Sequence, residues 1–136
     1  MDIHPEELIQ AREAASAARL NAYTPYSNFK VGAALRGFSG TLYSGCNVEN
    51  ASYGATICAE RGSLMSAVSS GEKKFSYIVV VTDTEPPAYP CALCLQVLAE
   101  FCPPEFPVIT GTPEKIINII TLGELLPQPF NEVPSD

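Results

Sequence analysis

The chain has 136 residues, of which 46% are hydrophobic and 17% are charged, and its formal net charge is −7. This length and composition predict one globular domain spanning residues 1–136, with no repeats and no apolar run long enough to cross a bilayer. The eight basic residues are scattered along an acidic chain, which excludes the basic surface that neutralises nucleic-acid phosphates and favours a small, uncharged substrate.

Helices and short strands are predicted to alternate along the chain. Pro5 opens a segment with apolar residues near helical spacing, and the β-branched run 77–81 indicates a strand buried on both faces. Gly37 and Gly40 mark the turn of an early hairpin. In chain order we predict a helix over 5–21, strands over 29–35 and 41–46, a helix over 57–68, a strand over 77–81, a helix from residue 90 to the prolines at 103 and 104, strands over 106–110 and 116–120, and a short helix capped at 121–124.

This order of elements predicts an α/β fold. The strand–helix alternation in the second half favours a layered arrangement with parallel strands, and the opening hairpin adds antiparallel ones. We therefore expect a three-layer α/β/α sandwich with a mixed sheet of about five strands.

Three cysteines are predicted to lie at the beginnings of two helices. Thr56 is the expected N-cap of one helix and Pro90 the expected first residue of the other, so that Cys58, Cys91 and Cys94 all fall in first turns. The exposed N–H groups and the dipole of a helix N-terminus favour thiolate over thiol. Three thiolates with an open fourth position are the ligand set of a catalytic Zn²⁺ site, and we expect one zinc ion per chain.

Two charged residues complete this pattern. Glu60 is too close in sequence to Cys58 to share its helix face, yet near enough to reach a water on the metal, and it is predicted to transfer protons rather than to bind zinc. Arg61 is predicted to donate to the cysteine sulfurs and to offset their charge. A zinc-activated hydroxide beside a general acid/base is able to attack an amidine-like carbon, a reaction that amounts to hydrolytic deamination.

A closed structural zinc site is the alternative to this interpretation. Cys46 or Cys102 would then supply a fourth sulfur, although each is more simply a small buried apolar residue. His4, the one histidine in the sequence, is expected to be a solvated terminal residue. The closely spaced thiols and the acidic N-terminus, which lacks the features of a secretory signal, predict a reducing, cytoplasmic location.

Four ordered motifs resemble those of the homotetrameric cytidine deaminases over nearly the whole chain. They are P-Y-S-N-F-K-V-G-A-A-L at 25–35, G-C-N-V-E-N-A at 45–51, C-A-E-R at 58–61 and P-C-x-x-C at 90–94. The resemblance implies zinc-dependent hydrolysis of cytidine and 2′-deoxycytidine to the uridine nucleosides and ammonia, in pyrimidine salvage, by a homotetramer acting on free nucleosides.

The resemblance also implies residues that bind the nucleoside. Asn47 and Glu49 would hold the sugar hydroxyls, and Phe29 would lie beside the base. Phe130 would reach the base of a neighbouring subunit across an interface. The backbone N–H of Ala59 and the carbonyl of Tyr89 would also contact the base.

Four residues depart from the family pattern. They are Leu95 in place of the common Arg, Ala92 in place of Gly, Gly62 in place of Thr, and Tyr89 in place of Ser. Leu95 and Tyr89 favour one alternative, a deaminase of a modified or antibiotic aminopyrimidine nucleoside. A non-catalytic, zinc-stabilised assembly protein is a further alternative from another functional class.

Overall fold

A computed structural model of the protein describes residues 3–131. The elements are α1 Pro5–Arg19, β1 Gly32–Gly37, β2 Leu42–Cys46, α2 Ala59–Ser69, β3 Phe75–Val81, α3 Ala92–Phe101, β4 Pro107–Gly111, β5 Ile116–Thr121 and α4 Leu122–Leu125. Every predicted helix and strand is present, and a 3-10 turn at Tyr53–Ala55 is additional. Among the described residues, no helix combines the length and the apolar character that a membrane span requires.

The strands form one mixed, five-stranded sheet in the order β2-β1-β3-β4-β5. The pair β3–β4 is parallel, whereas β1–β2, β1–β3 and β4–β5 are antiparallel. The predicted α/β sandwich with a mixed sheet is confirmed.

Alternate residues of the central strand β3 face two different cores. Ile78 and Val80 pack with α2 and α3 on one face, whereas Tyr77 and Val79 pack with α1 on the other. All four side chains are at most 2% exposed, which confirms the prediction of a strand buried on both faces. Each fully buried side chain of this kind contributes about 1.5–3 kcal/mol to the stability of the fold. Because its side chains pack into both cores, β3 joins the two helical layers.

Glycines allow the helices to approach the sheet closely. A Cβ atom at Gly45 in β2 would lie 2.5 Å from the Ser63 nitrogen and 2.6 Å from the Ala59 carbonyl oxygen, both in α2. A Cβ atom at Gly32 in β1 would overlap the carbonyl oxygen of Ala15 in α1. The absence of a side chain at these two crossings therefore sets where α1 and α2 sit.

Two predicted boundaries are wrong because the residues beyond them bond to distant parts of the chain. Helix α1 ends at Arg19 rather than at residue 21, because the chain then turns so that Tyr23 can pair with the 47–49 segment, through Tyr23 N–H to the Asn47 carbonyl at 3.0 Å. Strand β1 begins at Gly32 rather than at residue 29. The backbone of residues 29–31 instead bonds chiefly to the side chains of Asn47 and Arg19, and Phe29 and Val31 line the cavity described next.

Candidate functional site

Cys58 and Cys91 are the N-cap residues of α2 and α3. The prediction that Thr56 caps α2 is wrong, because Ile57 forms an antiparallel bridge with Val48 and remains extended. The prediction that Pro90 is the first helical residue is also wrong, because Pro90 lies one position before the cap. Both corrections move a cysteine from the first turn to the very start of its helix.

The three sulfurs form a compact cluster. The Sγ atoms of Cys58 and Cys91 are 3.8 Å apart, those of Cys91 and Cys94 are 3.5 Å apart, and all three lie within 4.8 Å of one another. A tetrahedral zinc with Zn–S bonds of about 2.3 Å separates its sulfurs by about 3.8 Å. The cysteines therefore fit a zinc ion.

The other candidate ligands lie elsewhere. Within residues 3–131, the three cysteines are the one cluster of His, Cys, Asp or Glu that could hold a metal. Cys46 and Cys102 are outside this cluster, which argues against a site closed by four sulfurs. His4 is exposed, as predicted, and its Nδ1 accepts a hydrogen bond from the Glu6 N–H at 3.2 Å, so that it caps α1.

The cluster favours negative charge on Cys58. Hydrogen bonding by Cys94, and then by Arg61, lowers the pKa of the Cys58 thiol to about 5. The same bond and burial raise the pKa of Cys94, so the negative charge falls on Cys58 rather than on Cys94. One terminal nitrogen of Arg61 donates both to the Thr56 carbonyl at 3.0 Å and to the Cys58 sulfur at 3.6 Å. The guanidinium thus contacts the cluster, as predicted.

Glu60 is a buried carboxyl group beside the sulfurs. It is 5% exposed, and burial, with a further contribution from the charge of Cys58, raises its pKa to about 7. A carboxyl group that titrates near neutral pH can both accept and donate a proton during turnover. Its position is therefore suited to general acid–base chemistry.

One cavity of about 190 Å³ opens onto this centre. Seven of the residues predicted for the site line it, namely Phe29, Asn47, Cys58, Ala59, Glu60, Tyr89 and Cys91. Four residues that the sequence did not indicate also line it, namely Val31, Thr56, Val80 and Ala88. Val31 and Val80 belong to apolar segments, and nothing in the sequence separates such residues from ordinary core. Cys94 is buried behind the other two sulfurs.

Asn47 connects the cavity to the segment before β1. Its side-chain oxygen accepts from the Val31 N–H at 2.9 Å, and its side-chain nitrogen donates to the Phe29 carbonyl at 2.8 Å. Asn47 is 9% exposed. The amide therefore holds the backbone on both sides of residue 30 as well as facing the cavity.

Glu49 lies outside this cavity and lines an adjoining one of about 260 Å³. Thr56 borders both cavities. The Glu49 carboxylate accepts from the Tyr26 N–H at 3.0 Å, from the Ser27 N–H at 3.1 Å and from the Ser27 hydroxyl. The bond from the Ser27 hydroxyl is the main cause of its lowered pKa. This carboxylate is therefore ionised and held in place at the edge of the site.

Phe130 does not line the cavity of its own chain. Its side chain is 65% exposed, and its backbone is held by the side chain of Gln96 on α3, through bonds of 2.7 and 3.1 Å. The ring is thus displayed on the surface near the C-terminal end of the described chain.

The four residues that depart from the family pattern differ in burial and in their distance from the cavity. Leu95 is 6% exposed and packs in the core shared by α2 and α3. Ala92 is exposed at the start of α3. A Cβ atom at Gly62 would meet nothing closer than the Cys46 carbonyl oxygen at 3.7 Å. Tyr89 lines the cavity and is 45% exposed.

Comparisons with known proteins agree with this geometry. Residues 5–110 match the family model described as the cytidine and deoxycytidylate deaminase zinc-binding region. The chain is 48% identical over 125 residues to a cytidine deaminase of Halalkalibacterium halodurans, covering 92% of this chain and 89% of that protein. The crystal structure of a cytidine deaminase from Burkholderia pseudomallei is similar, with a TM-score of 0.84 and 45% identity, over 94% of this chain and 100% of that one. A Mycobacterium tuberculosis cytidine deaminase structure has a TM-score of 0.79 and 35% identity, over 96% of this chain and 100% of that one.

Proposed function

Because the chain belongs to the cytidine and deoxycytidylate deaminase zinc-binding family, we propose that it hydrolyses cytidine to uridine and ammonia. It is a hydrolytic deaminase with a zinc cofactor, and we assign Cys58, Cys91 and Cys94 as the zinc ligands. The observation that carries the proposal is the position of Glu60, a buried carboxyl group in the cavity wall beside the sulfur cluster.

The proposed reaction replaces an amino group by an oxygen. Bound zinc would supply hydroxide at neutral pH, since it lowers the pKa of water to ~7. The oxygen of the attacking water bonds to the ring carbon that carries the amino group, and the carbon–nitrogen bond then breaks. Glu60 accepts a proton from the water and passes protons to the ring nitrogen and to the departing ammonia. Burial raises the pKa of the Glu60 carboxyl group, which favours its holding a proton between these two steps.

The surrounding side chains are proposed to hold the nucleoside. Asn47 and Glu49 are assigned to the sugar hydroxyls. The amide of Asn47 retains one N–H and one lone pair beyond the bonds it makes to the backbone, and the carboxylate of Glu49 can accept further donors. Phe29 is assigned to one face of the base. The N–H of Ala59 and the carbonyl of Tyr89 are assigned to polar groups of the base, since both residues line the same cavity.

A direct test follows the ultraviolet spectrum of cytidine with zinc-quantified protein. We expect conversion to uridine, with one ammonia released per cytidine consumed. Glu60→Gln should keep its zinc and lose at least about 10²-fold in kcat, the usual contribution of a general acid–base group. Glu100→Gln, an exposed carboxylate on α3, is the matched control and should keep full activity. Normal turnover by Glu60→Gln would refute the role of Glu60, and no ammonia from cytidine would refute the substrate.

A modified aminopyrimidine nucleoside is a second candidate substrate. Tyr89 lines the cavity, at a position where relatives are expected to carry the smaller serine. Values of kcat/KM on cytidine, 2′-deoxycytidine and N4-substituted cytidines separate the candidates. Family membership argues against the non-catalytic alternative.

Assembly and cellular context are further parts of the proposal. We propose that residues 1–136 act as one catalytic domain in a homotetramer, with Phe130 contributed to a neighbouring site. The exposure of Phe130 and its absence from its own cavity support this arrangement. A cytoplasmic role in pyrimidine salvage fits a cluster of reduced thiols. The acidic chain suits free nucleosides rather than nucleic acids.

A further inference from the structure

The wall of the cavity that carries Phe29 is not part of the sheet. Strand β1 begins only at Gly32, so the polar backbone groups of residues 29–31 need other partners. The Asn47 side chain satisfies two of them, the Phe29 carbonyl and the Val31 N–H, and the Asn47 backbone N–H donates to the Val31 carbonyl at 3.3 Å. The Lys30 carbonyl, which lies between these two groups along the chain, is bonded by a different residue.

Arg19 is that residue. It is the last residue of α1, and its Nε donates to the Lys30 carbonyl at 3.2 Å. Its own backbone rests on β1, since a Cβ atom at Gly32 would lie 2.8 Å from both the nitrogen and the Cβ atom of Arg19. This close packing fixes the point from which the guanidinium reaches Lys30.

The same guanidinium also contacts the loop that carries Tyr89. Its Nη2 lies 3.7 Å from Oδ2 of Asp83, at the start of the loop between β3 and α3. That loop ends at Ala88 and Tyr89, which line the cavity. Because Asp83 is 72% exposed and the separation is long, this ion pair is the weaker of the two contacts.

We propose that Arg19 is a positioning residue for substrate binding: it holds the Phe29 wall through the Lys30 carbonyl and, more weakly, the Tyr89 wall through Asp83. This inference rests on the proposed function, in which both walls contact the base. Arg19 itself touches neither the sulfurs nor Glu60. Helix α1 packs on β1, β2 and β3, across the sheet from α2 and α3. A variant that lacks the Arg19 guanidinium should therefore bind substrate less well, while Glu60 and the cysteine sulfurs stay in place.

The test compares zinc-loaded Arg19→Gln with Arg36→Gln. Both arginines join α1 to the body of the protein, and their side chains are 16% and 20% exposed, but Arg36 pairs with Glu7 at 3.2 Å, near the N-terminal end of α1. Arg19→Gln should raise KM for cytidine by about tenfold, the size expected for losing one charged hydrogen bond, with kcat within about twofold of the parent. Arg36→Gln should leave KM unchanged.

Two further variants separate the contacts and guard against misfolding. Asp83→Asn removes only the ion pair and should change KM by less than about twofold. Arg19→Lys keeps the charge but lacks the planar fork that serves both partners, and it should give an intermediate KM. If Arg19→Gln does not fold, Arg19→Lys decides the question: a KM equal to that of the parent overturns the proposal.

Hydrogen exchange supplies a measurement that does not depend on turnover. Peptides covering residues 28–32 should exchange faster in Arg19→Gln than in the parent, those covering residues 83–89 should show a smaller increase, and neither should change in Arg36→Gln. Unchanged exchange in both peptides, or equal KM increases in the two Arg→Gln variants, would overturn the proposal. If the parent protein fails to deaminate cytidine, the proposed function is refuted, and the exchange data still decide whether Arg19 holds the two walls.

Discussion

Cys58 and Cys91 occupy equivalent positions at the N-caps of α2 and α3, and their sulfur atoms lie 3.8 Å apart. Neither side chain bonds to the N–H groups of its own helix. Two helix N-termini therefore direct their partial positive charges toward one group of thiolates, which favours the ionised ligands that a metal requires. Each helix also brings a second residue that we assign to the site, Glu60 on α2 and Cys94 on α3.

Loss of one sulfur should remove the metal. Cys91→Ala leaves two sulfurs, and since loss of an outer partner alone weakens metal binding 10–100-fold, we expect a loss of more than ~100-fold. Cys46→Ala, which removes a cysteine outside the cluster, is the matched control. Zinc per chain after dialysis against a weak chelator is the measurement. Equal zinc retention by both variants would contradict the assignment.

The contact between α2 and β2 should be intolerant of even one methyl group. Gly45→Ala places a Cβ atom 2.5 Å from the Ser63 nitrogen, so it should displace the start of α2, reduce turnover and destabilise the fold by about 1–3 kcal/mol. Gly62→Ala meets only ordinary contacts and removes a helical glycine, so it should stabilise by about 0.5–1 kcal/mol. Urea unfolding and steady-state kinetics measure both. A Gly45→Ala protein as stable and active as the parent would show that the close approach is not required.

Subunit mixing tests whether Phe130 serves a neighbouring site. Phe130→Ala and Glu60→Gln should each have low activity alone. Co-refolded in equal amounts, they should recover about one quarter of parental activity, because a random tetramer pairs an intact Glu60 with a neighbour's Phe130 at that frequency.

The control for this experiment is a mixture of Glu60→Gln with Cys91→Ala. Glu60 and Cys91 line the same cavity of one chain, so this mixture should regain no activity. Absence of recovery in the Phe130 mixture would place the action of Phe130 within its own chain.

Acid should weaken the hydrogen bonds that the Glu72 carboxylate accepts. This side chain accepts from the Ser39 N–H at 2.8 Å, from the Ser39 hydroxyl at 2.6 Å and from the Tyr43 hydroxyl at 2.8 Å. These bonds, that of the Ser39 hydroxyl foremost, lower the pKa of Glu72 below its ordinary value of 4.5. A lowered carboxyl pKa stabilises the folded state above the ordinary value, and this stabilisation is lost as the pH falls through the folded pKa.

Glu72→Gln should therefore unfold more easily than the parent at pH 7, and the difference in free energy of unfolding should narrow as the pH falls below 4.5. Glu13→Gln, at an exposed position on α1, should match the parent throughout. Urea titrations across the acid range are the measurement. A difference that stays constant with pH would mean that the ionised carboxylate does not stabilise the hairpin.

The sequence by itself determined the order of the elements and the zinc chemistry. Hydrophobic periodicity identified β3 as buried on both faces, because such a strand needs apolar residues at every position. The spacing of Cys91 and Cys94 is local, so one helical turn brings their sulfurs together whatever the rest of the fold does. Glu60 follows Cys58 so closely that its place beside the metal ligands was also foreseeable.

Only the tertiary structure decided where the helices begin and how the cavity is walled. The bridge between Val48 and Ile57 keeps Ile57 extended, so that α2 begins only after Cys58, which is its N-cap. Local propensity does not encode this contact between two segments. Arg19 binds the Lys30 carbonyl because α1 packs across the start of β1, and no spacing in the sequence indicates that packing. Helix capping and hydrophobic periodicity depend on residues that are close together in the sequence. The cavity wall at residues 29–31, which Asn47 and Arg19 hold, depends on distances that exist only after the chain has folded.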